Sequence, residues 1–143
     1  MGRIYFNARR ESHAIDSAYT VKASDSGKVF MLSATSGTVA ITLPTLSGTG
    51  DDKAVEGLYY KFIVLEDTPA NVITIGAGGT VIDIVGLDSE TDAGFSSAGT
   101  AKGKIILEAA GHKSQYVNLY CDGTSWYGEG MASVDDGITV AAA

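Results

Sequence analysis

Several groups of side chains in this sequence have types and spacings that could do chemistry. Asp88, Glu90 and Asp92 set carboxylates two residues apart, as a calcium loop presents its oxygen ligands. The rest of such a loop is missing. With Asp88 as the first position, the sixth is Ala93 where glycine is needed, and the twelfth is Gly99 where a bidentate glutamate is needed. A solvated acidic loop accounts for the spacing better. Gly76, Ala77, Gly78 and Gly79 follow a strand pattern, as a phosphate loop would, but they lack the Lys-Ser/Thr ending and run into another strand, so they read as a hairpin turn. His13 and His112 are the two histidines and Cys121 the one cysteine. Their spacing makes no nucleophile and base pair, and Cys121 falls on the core parity of its strand as an inert buried thiol. The separation of a hydrolytic carboxylate pair is a three-dimensional quantity, and no spacing here points to one. The expectation is a non-enzymatic protein with no metal site and no cofactor.

The richest cluster is aromatic. Tyr116, Tyr120, Trp126 and Tyr127 surround Asn118, and with Tyr59 they are the candidate interface aromatics. Such a surface suits glycan stacking or a protein contact, and equally cross-strand pairing within one hairpin. The stretch that positions most of them runs from Gln115 to Gly130. Val117, Leu119 and Cys121 share one parity and Tyr116, Asn118 and Tyr120 the other, which predicts a strand with a core face and a wet aromatic face. Asp122-Gly123-Thr124-Ser125 supplies a turn, and Trp126 and Tyr127 begin the returning strand.

The same grammar runs through the chain from Ala18. Strands are predicted over 18–22, 28–33, 38–43, 58–65, 71–75, 80–85, 104–109, 115–121, 125–129 and 137–140, separated by Gly, Ser and Asp turns. Helix signals are poor. Short strands at this spacing predict an all-β single domain, an antiparallel β-sandwich, jelly roll or barrel-like fold, over residues 18–143. No repeat of 20 to 50 residues is visible, which argues against a solenoid. The run from Leu58 to Leu65 is apolar on both faces, broken by Lys61, and predicts a central strand near a subunit interface. The connections 44–57 and 86–103 are long and polar, and read as surface loops.

With 143 residues and a formal net charge of −7, the composition argues against a nucleic-acid-binding body. The charge is unevenly placed. Residues 1–15 carry Arg3, Arg9 and Arg10 against Glu11, a balance of +2, which leaves −9 for the remainder. Residues 1–17 show no regular period and read as an N-terminal arm. Its Arg3, Ile4, Tyr5, Phe6, Arg9 and Arg10 have the composition of a docking segment, the plain alternative being a frayed terminus. No apolar run has the length of a signal peptide or a membrane span, so the expectation is synthesis in a cytoplasm and no membrane partner.

The order of the phrases AYTVKASDSGKVFMLSATSGTVAITLPT, GLYYKFIVLEDTPANVITI and YVNLYCDGTSWYGEG, ending near DDGIT, resembles a segment common among tailed-bacteriophage structural proteins. These include tail-fibre, head-fibre and capsid-decoration proteins, and the resemblance covers about Ala18 to Thr139. It implies a β-rich virion protein that forms homotrimers and carries no catalytic residues. The short arm followed by one β domain looks most like a decoration or cement protein on the capsid surface. Its partner would then be the major capsid protein, gripped by the arm. A fibre domain that binds a receptor or glycan through the aromatic hairpin is the alternative.

Overall fold

A computed structural model of the chain describes residues 11–66, 70–78, 81–90, 94–96, 102–111 and 113–142. Among them are twelve strands: β1 Ser12–Ile15, β2 Tyr19–Thr20, β3 Val29–Leu32, β4 Val39–Thr42, β5 Tyr59–Val64, β6 Ile73–Gly76, β7 Ile82–Asp88, β8 Gly94–Ser96, β9 Lys104–Leu107, β10 Tyr116–Cys121, β11 Trp126–Ala132 and β12 Ile138–Ala141. Short 3-10 turns at Ala23–Asp25 and Gly50–Asp52 are the helical content of the described residues. The strands form a large sheet in the order β1-β3-β5-β10-β11-β7-β8 and a small sheet in the order β12-β9-β6-β4-β2. The two sheets pack face to face as an all-β sandwich.

The pairing within the sheets is mixed, where the sequence patterns predict an antiparallel fold. From β1 to β6 the chain alternates between the sheets, so that β1, β3 and β5 run parallel in one and β2, β4 and β6 run parallel in the other. This is the winding of a solenoid without a repeat. Ser12 aligns with Val29 and Val29 with Lys61, steps of 17 and 32 residues, so the coils differ too much in length to leave a period in the sequence. From β9 onward neighbours pair antiparallel, except that β11 lies parallel to β7.

Alternation puts one side chain in two between the sheets. Phe30, Leu32, Tyr60, Phe62, Val64, Ile82, Ile84, Val117, Leu119 and Trp126 from the large sheet meet Val39, Ile41, Ile73, Ile75, Ile105, Leu107 and Ile138 from the small one, all buried. Phe30 stacks on Phe62 with centroids 5.1 Å apart and tilts against Tyr60, which in turn packs on Trp126 at 5.7 Å. Glycine is required on the inner surface at Gly86. An added Cβ there would come within 2.2 Å of Cζ of Phe95 and 2.3 Å of the Gly130 carbonyl oxygen, so the missing side chain is what lets β8 lay Phe95 against the sheet.

The ten strands read from sequence are all present, and β5 is central as expected. Two further strands lie outside that reading. β1 occupies 12–15, within the stretch assigned to the arm, and pairs with β3, so the β domain begins before residue 18. β8 is three residues inside the connection 86–103, too short for alternation to register. Trp126 corrects the aromatic cluster. It is fully buried, and its Nε1 donates to the Pro44 carbonyl oxygen at 3.3 Å, so it is a core residue and not an interface aromatic. Trp126→Ala should therefore cost about 3–5 kcal/mol in urea unfolding, whereas Tyr127→Ala, at an exposed neighbour, should cost less than about 1 kcal/mol. Equal costs would show that the inward and outward parities of β11 are misassigned.

Candidate interaction surface

The same alternation that fills the core assigns the other half of each strand in the large sheet to its outer face. Register then arranges these side chains in rows across the strands. One row reads Tyr59, Tyr120, Tyr127, Asp83. The next reads Val29, Lys61, Asn118, Glu129, Val85, and the third Met31, Ile63, Tyr116, Met131, Leu87. Val85 is 62% exposed, Leu87 54%, Tyr127 44%, and Tyr120 and Met131 43% each. Large apolar groups this open and this close together on one face of a sheet make it the candidate contact surface.

Contacts within the face fix its side chains. Tyr59 and Tyr120 rings lie 5.0 Å apart, and the Tyr59 hydroxyl donates to Oδ1 of Asn118 at 3.4 Å. Asn118 in turn donates from Nδ2 to Oε1 of Glu129 at 3.1 Å and is itself buried under its neighbours. On the other side Nζ of Lys61 sits 4.6 Å from the Tyr116 ring centroid, a cation–π contact. The face is thus pre-ordered, which lowers the entropy lost when a partner covers it.

At one end the β10–β11 turn sets the register of this whole face. Oδ1 of Asp122 accepts hydrogen bonds from the Thr124 amide, the Thr124 hydroxyl and the Ser125 amide, each at 2.7 Å, while Gly123 takes a φ of 87°. These donors hold the Asp122 carboxyl down to about 2, and the neighbouring Asp122 raises the Tyr127 hydroxyl. A second polar corner pins the connection 44–57. Asp51 accepts from the Ser24 amide and hydroxyl at 2.7 and 2.6 Å, and Asp52 pairs with Lys22. Beside them the buried Asp25 accepts from Nζ of Lys28 at 2.8 Å and the Lys22 amide at 3.0 Å; burial pushes its carboxyl up, but these bonds outweigh it and the net shift is down. The acidic pair Asp51-Asp52 is therefore structural.

The structure brings Tyr59, Tyr116, Tyr120 and Tyr127 together on the outer face and places Trp126 beneath it. The arm residues Arg3, Ile4, Tyr5, Phe6, Arg9 and Arg10, together with His112 and Asp92, lie outside the described residues. His13 packs between Tyr19 and Phe30, with centroids at 4.9 and 6.0 Å, and Cys121 is buried, its thiol pushed up by that burial. Asp88 turns inward at 6% exposure, away from the calcium-like array that the sequence spacing hinted at, and Glu90 accepts from the Asp135 amide at 3.2 Å. A shallow cleft of about 220 Å³ lies between Ser89, Lys113, Ser114, Gln115 and Ser133. Sequence reasoning did not assign Lys61, Val85, Leu87, Glu129 and Met131 to this face. Leu87 and Met131 lie past the predicted ends of their strands, and extending the alternation of β7 through Gly86 to Asp88 and of β11 to Ala132 would have found them; the other three needed the pairing of the strands.

Comparison of the chain with family models, with curated proteins and with solved structures gives no match.

Because Asp122 is held below the value of an unfolded aspartate, about 3.9, its turn bonds add stability at and above neutral pH. That contribution is lost as pH falls from about 4 toward 2. Asp122→Ala should melt at a lower temperature than the parent at pH 7, and the two melting temperatures should converge as the pH is taken down to about 2. A gap unchanged over that range would mean that the carboxylate does not carry the turn.

Proposed function

We propose that this chain is a non-enzymatic structural protein of a tailed-phage particle, a decoration or cement protein that coats the mature head and clamps it. The single observation that carries the assembly reading is the outer face of the large sheet. A pre-ordered, aromatic and apolar surface covering much of one side of a small domain is built for protein contact, and its exposed groups are of the types enriched at interfaces. The order of sequence phrases, shared in character with virion proteins, supports placing that contact in a phage particle. The basic, aromatic arm supplies the grip on the shell, and the acidic body keeps neighbouring copies soluble until the lattice presents its sites. A protein that binds only the mature lattice stabilises that state by mass action, so no turnover is needed for it to work.

The tyrosine row also favours one second reading, a fibre domain whose Tyr120 and Tyr127 stack on a glycan. The burial of Trp126 weakens it, because the strongest stacking residue of the cluster faces the core.

Immunogold labelling of intact particles with antibody against the chain separates the readings. Dense label over the head, lost when residues 1–10 are deleted while circular dichroism keeps its β signature, is the expected result. Label restricted to the tail or its fibres would overturn the decoration reading and leave the tyrosine row as the receptor site. Head binding that survives the deletion would remove the arm from the mechanism.

A further inference from the structure

The rows on the outer face of the large sheet have a symmetry that bulk hydrophobicity does not explain. β10 is their midline, with β5 and β11 on either side and β3 and β7 beyond. Reflected across β10, Ile63 exchanges with Met131 and Met31 with Leu87, apolar for apolar. Val29 exchanges with Val85, Tyr59 with Tyr127, and Lys61 with Glu129, opposite charge for opposite charge. We propose that this face docks on the same face of a second copy of the chain, about a two-fold axis running along β10 through Asn118.

A two-fold axis lying between two facing sheets places each position of one copy over its mirror position in the other. Every contact then occurs twice. Lys61 of each copy lies over Glu129 of the other, so the charges in the middle of the face are paired and not buried alone. The apolar row covers itself side chain for side chain, as in the core of a sandwich, where sheets pack about 10 Å apart. Tyr116, Asn118 and Tyr120 meet their own counterparts on the axis. Asp83, exposed at the end of the tyrosine row, exchanges with the position of Gly27 and so meets no second acid. Among the described residues, the outward positions of the small sheet are smaller and more polar: Thr20, Ala40, Thr42, Thr74 and Thr139, with Lys104 and Ile106 between them.

Size sets how tight this pair is. Five strands about 4.8 Å apart, each contributing about five residues at 3.3 Å, give a footprint of roughly 400 Å² per copy. The total, roughly 800 Å², is below that of stable specific interfaces and in the range of weak, reversible association. The pair is therefore concentration-dependent, and a net charge of −7 on each copy opposes it further at low salt. The proposal rests on the face alone. It holds or fails in solution whether or not the chain belongs to a virion, and it replaces the trimer that the sequence resemblance implied with a two-fold pair.

The test is sedimentation velocity of the full chain from about 1 µM to about 1 mM in physiological salt. The expected result is a monomer that shifts to twice its mass with rising concentration. Lys61→Glu and Glu129→Lys should each weaken that dissociation constant at least tenfold, because each sets like charges against each other twice. An equimolar mixture of the two variants should recover the dimer, since each altered position then faces its opposite. Val85→Lys, at the most exposed apolar position of the face, should also abolish it, with thermal melts by circular dichroism confirming that all variants are folded. A wild-type chain that stays monomeric over the whole range would overturn the proposal. So would a trimer, a dimer indifferent to these substitutions, or a mixture of the charge variants that fails to associate.

Discussion

Tyr60 and Trp126 lie against each other at the centre of the core, and each aims its single donor at a backbone carbonyl of a connection. The Tyr60 hydroxyl donates to Lys22 at 2.9 Å and the Trp126 indole to Pro44 at 3.3 Å. A buried aromatic with a polar tip needs such a partner, and here the partners are the segments that close one end of the sandwich. The pair therefore does two things. It seals the connections 21–28 and 44–57 over the core, and it commits β5 and β11 to one orientation. With Tyr60 and Trp126 inward, strand alternation leaves Tyr59 and Tyr127 no direction but outward. The large apolar and aromatic outer face follows from that constraint.

The two outer surfaces of the sandwich are consequently different materials. Threonine and alanine recur on the small sheet, with Thr139 donating to Glu108 at 2.9 Å, and that side is suited to water. The large sheet carries valine, leucine, methionine and tyrosine on a side that a lone domain would leave wet. Large apolar groups on an isolated sheet face add only the modest stability of cross-strand pairs, and they raise the hazard of nonspecific association. Their presence on one face alone is intelligible when that face is covered for part of the protein's life.

How much of this could be read from residues alone depended on the reach of each signal. Alternation is local, and it gave the β10 strand, its turn at Asp122 and Gly123, and the wet parity of Tyr116 and Tyr120 correctly. Pairing is not local. The parallel coils of β1 to β6 are joined by connections of unequal length, and nothing in VFML or VAIT says whether the next strand will lie beside it or across the core. β1, with the sequence SHAI, has one fully buried side chain, Ile15, so a pattern of period two never emerges. Trp126 was legible in principle. A four-residue turn places it opposite Cys121, whose inward parity was already evident, and residues paired across strands share a face.

The polar residues left in the middle of the apolar face are better understood as specifying than as stabilising. A uniformly greasy sheet would accept any partner in any register, because apolar contact is non-directional. Lys61 and Glu129, held by Tyr116 and by Asn118 on opposite sides of β10, favour one register over its neighbours: a slip by one strand would set one of the two charges over Val29 or Val85 and the other over Asn118, so that neither keeps its opposite charge. Asn118, buried between them and bonded to both Tyr59 and Glu129, keeps the acid from turning away to solvent. The acidic balance of the body acts at longer range and in the opposite sense, holding copies apart until short-range complementarity takes over within about a Debye length, 8 Å at physiological salt. Attraction that is specific and near, set against repulsion that is general and far, lets an exposed sheet face remain selective.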